Sequence, residues 1–219
     1  GMDDGWHVVD GDIWRGGVAV LGGDELPLPG AHNALNACAA LAALELAGED
    51  ALAAAVHLRS FRPLPHRLQQ LGQYGQLHWI DDSIATTPAA VLQALASLPA
   101  GPVSLILGGY ERGLDWQSFA QTMRDQPPHA IILNGANAER VEQCLRSAGG
   151  DYQLCRVTDL AAAVATARAL TPAGGMVLLS PGAPSFDQFH DYAERGRQFA
   201  ELAGFDSTLI GSIQGLGIA

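Results

Sequence analysis

Apolar and polar residues alternate over residues 6–15 around Asp10-Gly11, the pattern of two short strands joined by a two-residue turn. Leu26-Pro27-Leu28-Pro29-Gly30 then stops any strand. Residues 33–46 are rich in alanine and leucine and apolar nearly all round, which predicts a buried helix. A second helix is predicted from Asp50, a good N-cap residue, to Ser60. Residues 61–67, with Pro63 and Pro65, break that helix and set a domain boundary between residues 1–64 and 65–219.

Beyond Arg67 the pattern changes to short apolar runs separated by helical periodicities. Residues 77–80, 103–107, 130–133, 154–157 and 176–179 read as strands. Val91, Leu92, Leu95 and Leu98 share one helix face, as do Ala138, Val141, Leu145 and Ala148. Leu160, Ala163, Val164 and Ala167 form a third such face, and Phe189, Ala193, Gly196 and Ala200 a fourth. Strands alternating with helices of this length predict an α/β fold with a doubly wound, mostly parallel sheet.

In such a sheet, ligands bind beyond the carboxyl ends of the strands, and three of those ends are unusual. After the strand at 77–80 comes Asp81-Asp82-Ser83-Ile84-Ala85-Thr86-Thr87-Pro88, where Thr87 and Pro88 suit an N-cap and a first helical residue. Asp82 with the hydroxyls of Ser83 and Thr86 offers a carboxylate and hydrogen-bonding groups above the sheet; a capped loop with solvated aspartates fits the same residues. After 103–107 comes Gly108-Gly109-Tyr110-Glu111-Arg112-Gly113, where glycine permits close backbone approach to a ligand and Arg112 can grip a carboxylate. A plain turn with a surface arginine fits here too. After 176–179, Ser185 and Gln188 in Ser180-Pro181-Gly182-Ala183-Pro184-Ser185-Phe186-Asp187-Gln188 have capping-box spacing, which predicts a helix start able to receive an anion.

The chain has 219 residues, long for one ordinary domain, so one domain plus part of a second is expected. With 48% hydrophobic and 16% charged residues it is suited to a buried core. A net charge of −11 argues against a nucleic-acid partner. The cysteines Cys38, Cys144 and Cys155 are scattered, as are the seven histidines, so no metal constellation is predicted and the thiols read as reduced, in a cytoplasmic setting. No apolar run approaches the roughly 20 residues of a membrane span. No signal-peptide pattern opens the chain, and Gly1-Met2 reads as a cloning remnant. All 12 basic residues are arginine, so the Gly-Lys-Ser/Thr of a P-loop cannot be supplied here. An ATP-phosphate cradle, if the activity uses one, is expected outside this chain.

Taken in order, several segments resemble the Mur ligases. They are Gly30-Ala31-His32-Asn33 with Asn36, Pro65-His66-Arg67, Asp82-Ser83 with Thr86, Leu107-Gly108-Gly109, and Leu179-Ser180-Pro181 through Ser185-Phe186-Asp187-Gln188-Phe189. The last segment, continuing to Arg195-Gly196 and Phe199, is similar to the MurD type, and the resemblance runs from about Leu28 to Phe205. It implies a Rossmann-like C-terminal domain over residues 65–219, preceded by the end of a central ATPase domain. It also implies an ATP- and Mg2+-dependent ligation of glutamate to UDP-N-acetylmuramoyl-L-alanine, in which an acyl phosphate of the second is attacked by the amine of the first. Asn33, Asn36, Arg67 and Asp82 match nucleotide-contacting positions. Thr86, Arg112 and Ser185 match glutamate-binding positions, with the backbone near Tyr192 a further one; His32 and His66 suit packing or orienting roles. The residues alone also allow Asn33 and Asn36 to be helix-capping or turn residues.

Two departures from the pattern stand out. The P-loop is missing, so the fragment alone is expected to be inactive. Ile84 stands where the pattern Asp-Ser-Lys-Ala-Thr has lysine, which points to a different arrangement of the amino-acid carboxylates and to L-glutamate as substrate, with Arg112 compensating in part. The alternatives are another ligase of the superfamily, such as a folylpolyglutamate synthase or a diaminopimelate- or lysine-adding ligase, and a nucleotide-binding module without chemistry. The Asp-Asn-Pro-Arg segment of the diaminopimelate type is not found between Leu107 and Ser185.

Overall fold

A computed structural model of the chain describes residues 4–27, 30–61 and 64–210. Leu28, Pro29 and Pro63, on which the turn and boundary readings partly rest, lie outside the described residues, as do Gly1 and Met2. The chain divides into two compact units, Gly1–Pro63 with Leu95–Leu98, and Leu64–Ala94 with Pro99–Ala219.

In the first unit, β1 (Trp6–Val9) and β2 (Asp12–Arg15) pair antiparallel, joined by Asp10 and Gly11 at φ 51° and 94°. These angles are those of the tight hairpin turn that the Asp-Gly pair favours. A strand that the sequence pattern does not reveal, β3 (Val18–Leu21), completes a three-stranded sheet. It follows Gly16-Gly17 directly and alternates too weakly to be read from sequence. Helix α1 (Ala31–Leu46) buries Ala34, Ala37, Cys38 and Leu41 against Ile13 and Leu21. The expectation that this helix is buried all round is corrected: Leu35 is 57% exposed and Leu46 90%. Trp6 Nε1 and the Arg15 guanidinium both donate to Glu45, tying the strands to the helix end. Asp50 caps α2 (Ala51–Ala55) by accepting from Ala53 N–H at 2.9 Å, but the predicted single helix continues as a 3-10 turn over Val56–Ser60.

The second unit is an α/β sheet in the order β4-β5-β9-β6-β7-β8, where β4 (Gln69–Tyr74) is antiparallel and β5 (Leu77–Asp81), β6 (Val103–Leu107), β7 (Ala130–Leu133), β8 (Gln153–Arg156) and β9 (Met176–Leu179) are parallel. The five parallel strands are those predicted, with β8 shifted by one residue. β4 has no counterpart among the predicted strands because Gln-Gln-Leu-Gly-Gln-Tyr is an exposed, mostly polar edge with no alternation. Thr87 Oγ1 accepts from Ala90 N–H at the start of α3 (Pro88–Ala96), so the Thr-Pro helix start holds, while Leu98 lies past the helix end. Helix α4 (Gln117–Asp125), also unpredicted, buries Phe119, Ala120 and Met123 and packs on α5 (Ala138–Ala148).

On one face of the sheet, Trp79, Ile106, Ile132, Val177 and Leu179 meet α6 (Leu160–Leu170) and α7 (Tyr192–Ala203). Trp79 and Phe199 sit at its centre, ring centroids 5.8 Å apart and both fully buried. All three cysteines are free. Among the described residues, no helix is long and apolar enough to cross a membrane.

Removing the Phe199 ring opens a cavity against Trp79 that the sheet cannot close. Phe199→Ala is expected to lower unfolding stability by about 3–5 kcal/mol, and Leu46→Ser to change it by less than about 0.5, in urea titrations followed by tryptophan fluorescence.

Candidate functional site

The three unusual strand ends belong to neighbouring strands, because β9 lies between β5 and β6. The segments after β5, β9 and β6 therefore converge at one edge of the sheet, and their backbones are stitched together. Gly108 N–H donates to Pro181 O at 2.9 Å, Gly182 N–H to Ala85 O at 3.0 Å and Tyr110 N–H to Pro184 O at 2.8 Å. Gly109 N–H donates to Asn137 Oδ1 at 2.9 Å.

These bonds favour the plain-turn reading of Gly108 and Gly109 over a ligand-facing one. Their amides are already bonded within the protein. A Cβ at Gly108 would run into the Asn134 carbonyl, and one at Gly109 into the Pro184 carbonyl. Both residues also hold positive φ, 112° and 158°. Glycine is needed here for backbone to pass backbone.

At the end of β5 two adjacent carboxylates have different partners. Asp81 is fully buried, accepting from His66 Nδ1 at 2.6 Å and from Ser83 N–H at 2.9 Å. His66 is itself buried, which fits the orienting role expected of it. Asp82 accepts from the Ser180 hydroxyl at 2.7 Å and from Leu68 N–H at 3.2 Å. Burial pushes the Asp82 carboxyl up to about 6, against those two hydrogen bonds and the nearby charge of Arg67. Arg67 is exposed between two residues in the left-handed region, His66 at φ 65° and Leu68 at φ 46°. Such a conformation costs about 1–2 kcal/mol per non-glycine residue. Hydrogen bonds from His66 N–H to Gln69 Oε1 and from Ile84 N–H to His66 O hold the segment in it.

Helix α7 crosses directly over this pair. A Cβ at Gly196 would lie 2.5 Å from Asp81 Oδ2 and 2.6 Å from Ser83 Oγ, and closer still to His66 Nδ1. Beside it Arg195, 3% exposed, donates from Nη2 to Ser83 O and Ala183 O, each at 2.9 Å. Burial pulls its pKa down to about 10, with the charges of Asp187 and Asp81 opposing, so it stays cationic at neutral pH.

The residues singled out from sequence fall at this edge in the second unit. Thr86 and Ile84 are half-buried, Ser185 is buried, and Arg112 is exposed in the loop after β6. That loop is held by Arg140, which donates to Glu111 at 2.6 Å and to the Leu114 carbonyl. Tyr192 packs its ring edge-on to His66 with centroids 6.0 Å apart. Asn33 and Asn36 belong to the first unit, within the first turns of α1; Asn33 is buried and Asn36 exposed. Neither caps that helix, whose N-cap is Gly30.

One prediction fails here. No helix starts at Ser185, which instead closes a turn by accepting from Gln188 and Phe189 N–H. The helix begins at Tyr192, capped by Asp191, which accepts from Glu194 N–H at 2.8 Å. An extended aspartate is the better cap, and its carboxylate already occupies the place of an anion there. Asp81, Ser180 and Arg195 carry no role that sequence reasoning could assign, since, the Ser83 amide beside Asp81 apart, their partners lie 12 to 112 residues away along the chain.

A carboxyl that titrates near 6 when folded and near 3.8 when unfolded binds its proton more tightly in the folded state. The contribution of Asp82 to stability is therefore full below pH 4 and is lost as pH rises through about 6, by at most about 3 kcal/mol. Asp82→Asn is expected to remove that decline, as read from urea midpoints at pH 4.5, 5.5 and 7.

Residues 66–182 match the family model described as Mur ligase, glutamate ligase domain. The chain is 48% identical over 98% of its length to the UDP-N-acetylmuramoyl-L-alanine--L-glutamate ligase of Xanthomonas axonopodis pv. citri, covering 46% of that protein. It is 42% identical over 90% of its length to the UDP-N-acetylmuramoylalanine--D-glutamate ligase of Rubrobacter xylanophilus, covering 44%. Among solved structures, Mycobacterium tuberculosis folylpolyglutamate synthase, determined with ADP and AMPPCP, shares the fold at TM-score 0.60 and 16% identity, over 92% of this chain and 47% of that one. The chain thus spans about half the length of the curated relatives it matches. On these matches, the chain belongs to the Mur ligase family, with residues 66–182 matching its glutamate ligase domain.

Proposed function

We propose that the chain is the C-terminal half of an ATP-dependent ligase that adds L-glutamate to UDP-N-acetylmuramoyl-L-alanine in peptidoglycan synthesis. The observation that carries this reading is the 48% identity, over 98% of the chain, to a ligase named for L-glutamate. Ile84 supports it, since a neutral side chain stands where the D-glutamate pattern has a lysine. Arg112, exposed after β6, is a cation able to meet a substrate carboxylate in this region. Thr86, Ser185 and the backbone near Tyr192 complete the amino-acid site in this reading. The positioned groups hold the glutamate amine in line for attack, which is the main catalytic contribution open to a domain of this kind.

ATP supplies the phosphoryl group that activates the acceptor carboxylate. Asn33, Asn36, Arg67 and Asp82 are the residues of this chain that would contact ATP with Mg2+. Arg67 fits that role because its strained flanks hold it out in solvent. Asp82 fits it less directly, as both its oxygens already accept hydrogen bonds within the protein. With no lysine among 219 residues, the phosphate cradle belongs to the other half, and this chain alone is inactive in this reading. The seat for UDP-N-acetylmuramoyl-L-alanine lies in that half as well.

The test is ligation by the full-length enzyme with each glutamate enantiomer. L-glutamate is expected to be preferred, and Ile84→Lys to weaken that preference by about tenfold or more, the worth of one charged hydrogen bond. A wild-type preference for D-glutamate sinks the stereochemical reading, and absence of ATP-dependent ligation sinks the ligase reading.

A further inference from the structure

Arg195 is a cation set almost wholly inside the protein, yet it forms no salt bridge among the described residues. Its Nη2 bonds one carbonyl after β5 and one after β9. Its Nη1 lies 3.0 Å from where a Cβ of Gly109, after β6, would sit. A single guanidinium thus lies against all three strand-end segments. Burying such a group is costly, and an apolar side chain would fill the space at less expense. What an apolar side chain cannot do is hold two carbonyls of separate segments at a fixed spacing.

We propose that Arg195 is a positioning residue for the amino-acid substrate. It sets the spacing of the segments that carry Thr86, Ser185 and Arg112, and so sets glutamate affinity without touching glutamate. The inference rests on the glutamate site proposed above. Gly196 is part of the device: only a residue without a side chain lets α7 come close enough over Asp81, His66 and Ser83 for Arg195 to reach both carbonyls. Nε and Nη1 make no hydrogen bond within the protein, so the hold on the segments runs through Nη2 alone.

The experiment compares wild type, Arg195→Met and Arg195→Lys in the full-length ligase, varying glutamate and ATP separately, with thermal melting to establish that each variant is folded. For Arg195→Met, the KM for glutamate is expected to rise at least about tenfold while the KM for ATP stays within about twofold. Arg195→Lys, which keeps the charge and can hold one carbonyl, is expected to recover part of the loss. A glutamate KM within about twofold of wild type in a folded variant overturns the proposal. So does a parallel rise in both KM values, the mark of general loosening. If Arg195→Met does not fold, Arg195→Lys decides by the same criteria. A wild-type enzyme without glutamate-dependent turnover defeats the ligase reading itself, and this inference with it.

Discussion

The buried carboxylate of Asp81 is the constraint on which the rest of the site depends. A charge at the end of a central strand must be compensated, and His66 with the Ser83 amide does so. Holding His66 there forces the backbone around Arg67 into the left-handed region, so Arg67 stands out from the surface. The same pair leaves room overhead only for a glycine, which is where α7 crosses. Strand end, displayed arginine and helix approach are thus consequences of one electrostatic requirement.

Much of this architecture is legible in the amino-acid sequence, and the parts that are not share a cause. The five parallel strands carry their burial as continuous apolar runs. Their pattern is local, so it survives in one dimension. β4, at the exposed edge, and β3, directly after a glycine pair, have no such signature. Helix α4 is easily passed over between two obvious strands, although its buried positions, Phe119, Ala120 and Met123, are spaced as one face.

Within the site, residue types are legible and partnerships are not. Asp82 is visible as a carboxylate at a strand end, but its bond to Ser180 joins residues 98 positions apart. Ser185 and Gln188 carry the spacing of a helix cap, and a stronger cap at Asp191 takes the role. Local rules identify who can form an interaction; the winner among competitors is decided by tertiary context.

The loops after β5, β6 and β9 bond their amides to one another, and this has an evolutionary side. Where backbone amides grip a ligand, a new specificity requires a loop to be rebuilt. Here the amides joining the three loops are taken up within the scaffold, and the proposed glutamate site leaves most of the recognition to side chains standing on it. If glutamate binds as proposed, such a surface would exchange one enantiomer for the other through point substitutions, leaving the framework untouched. Closely related sequences bearing opposite stereochemical preferences are what that division of labour permits.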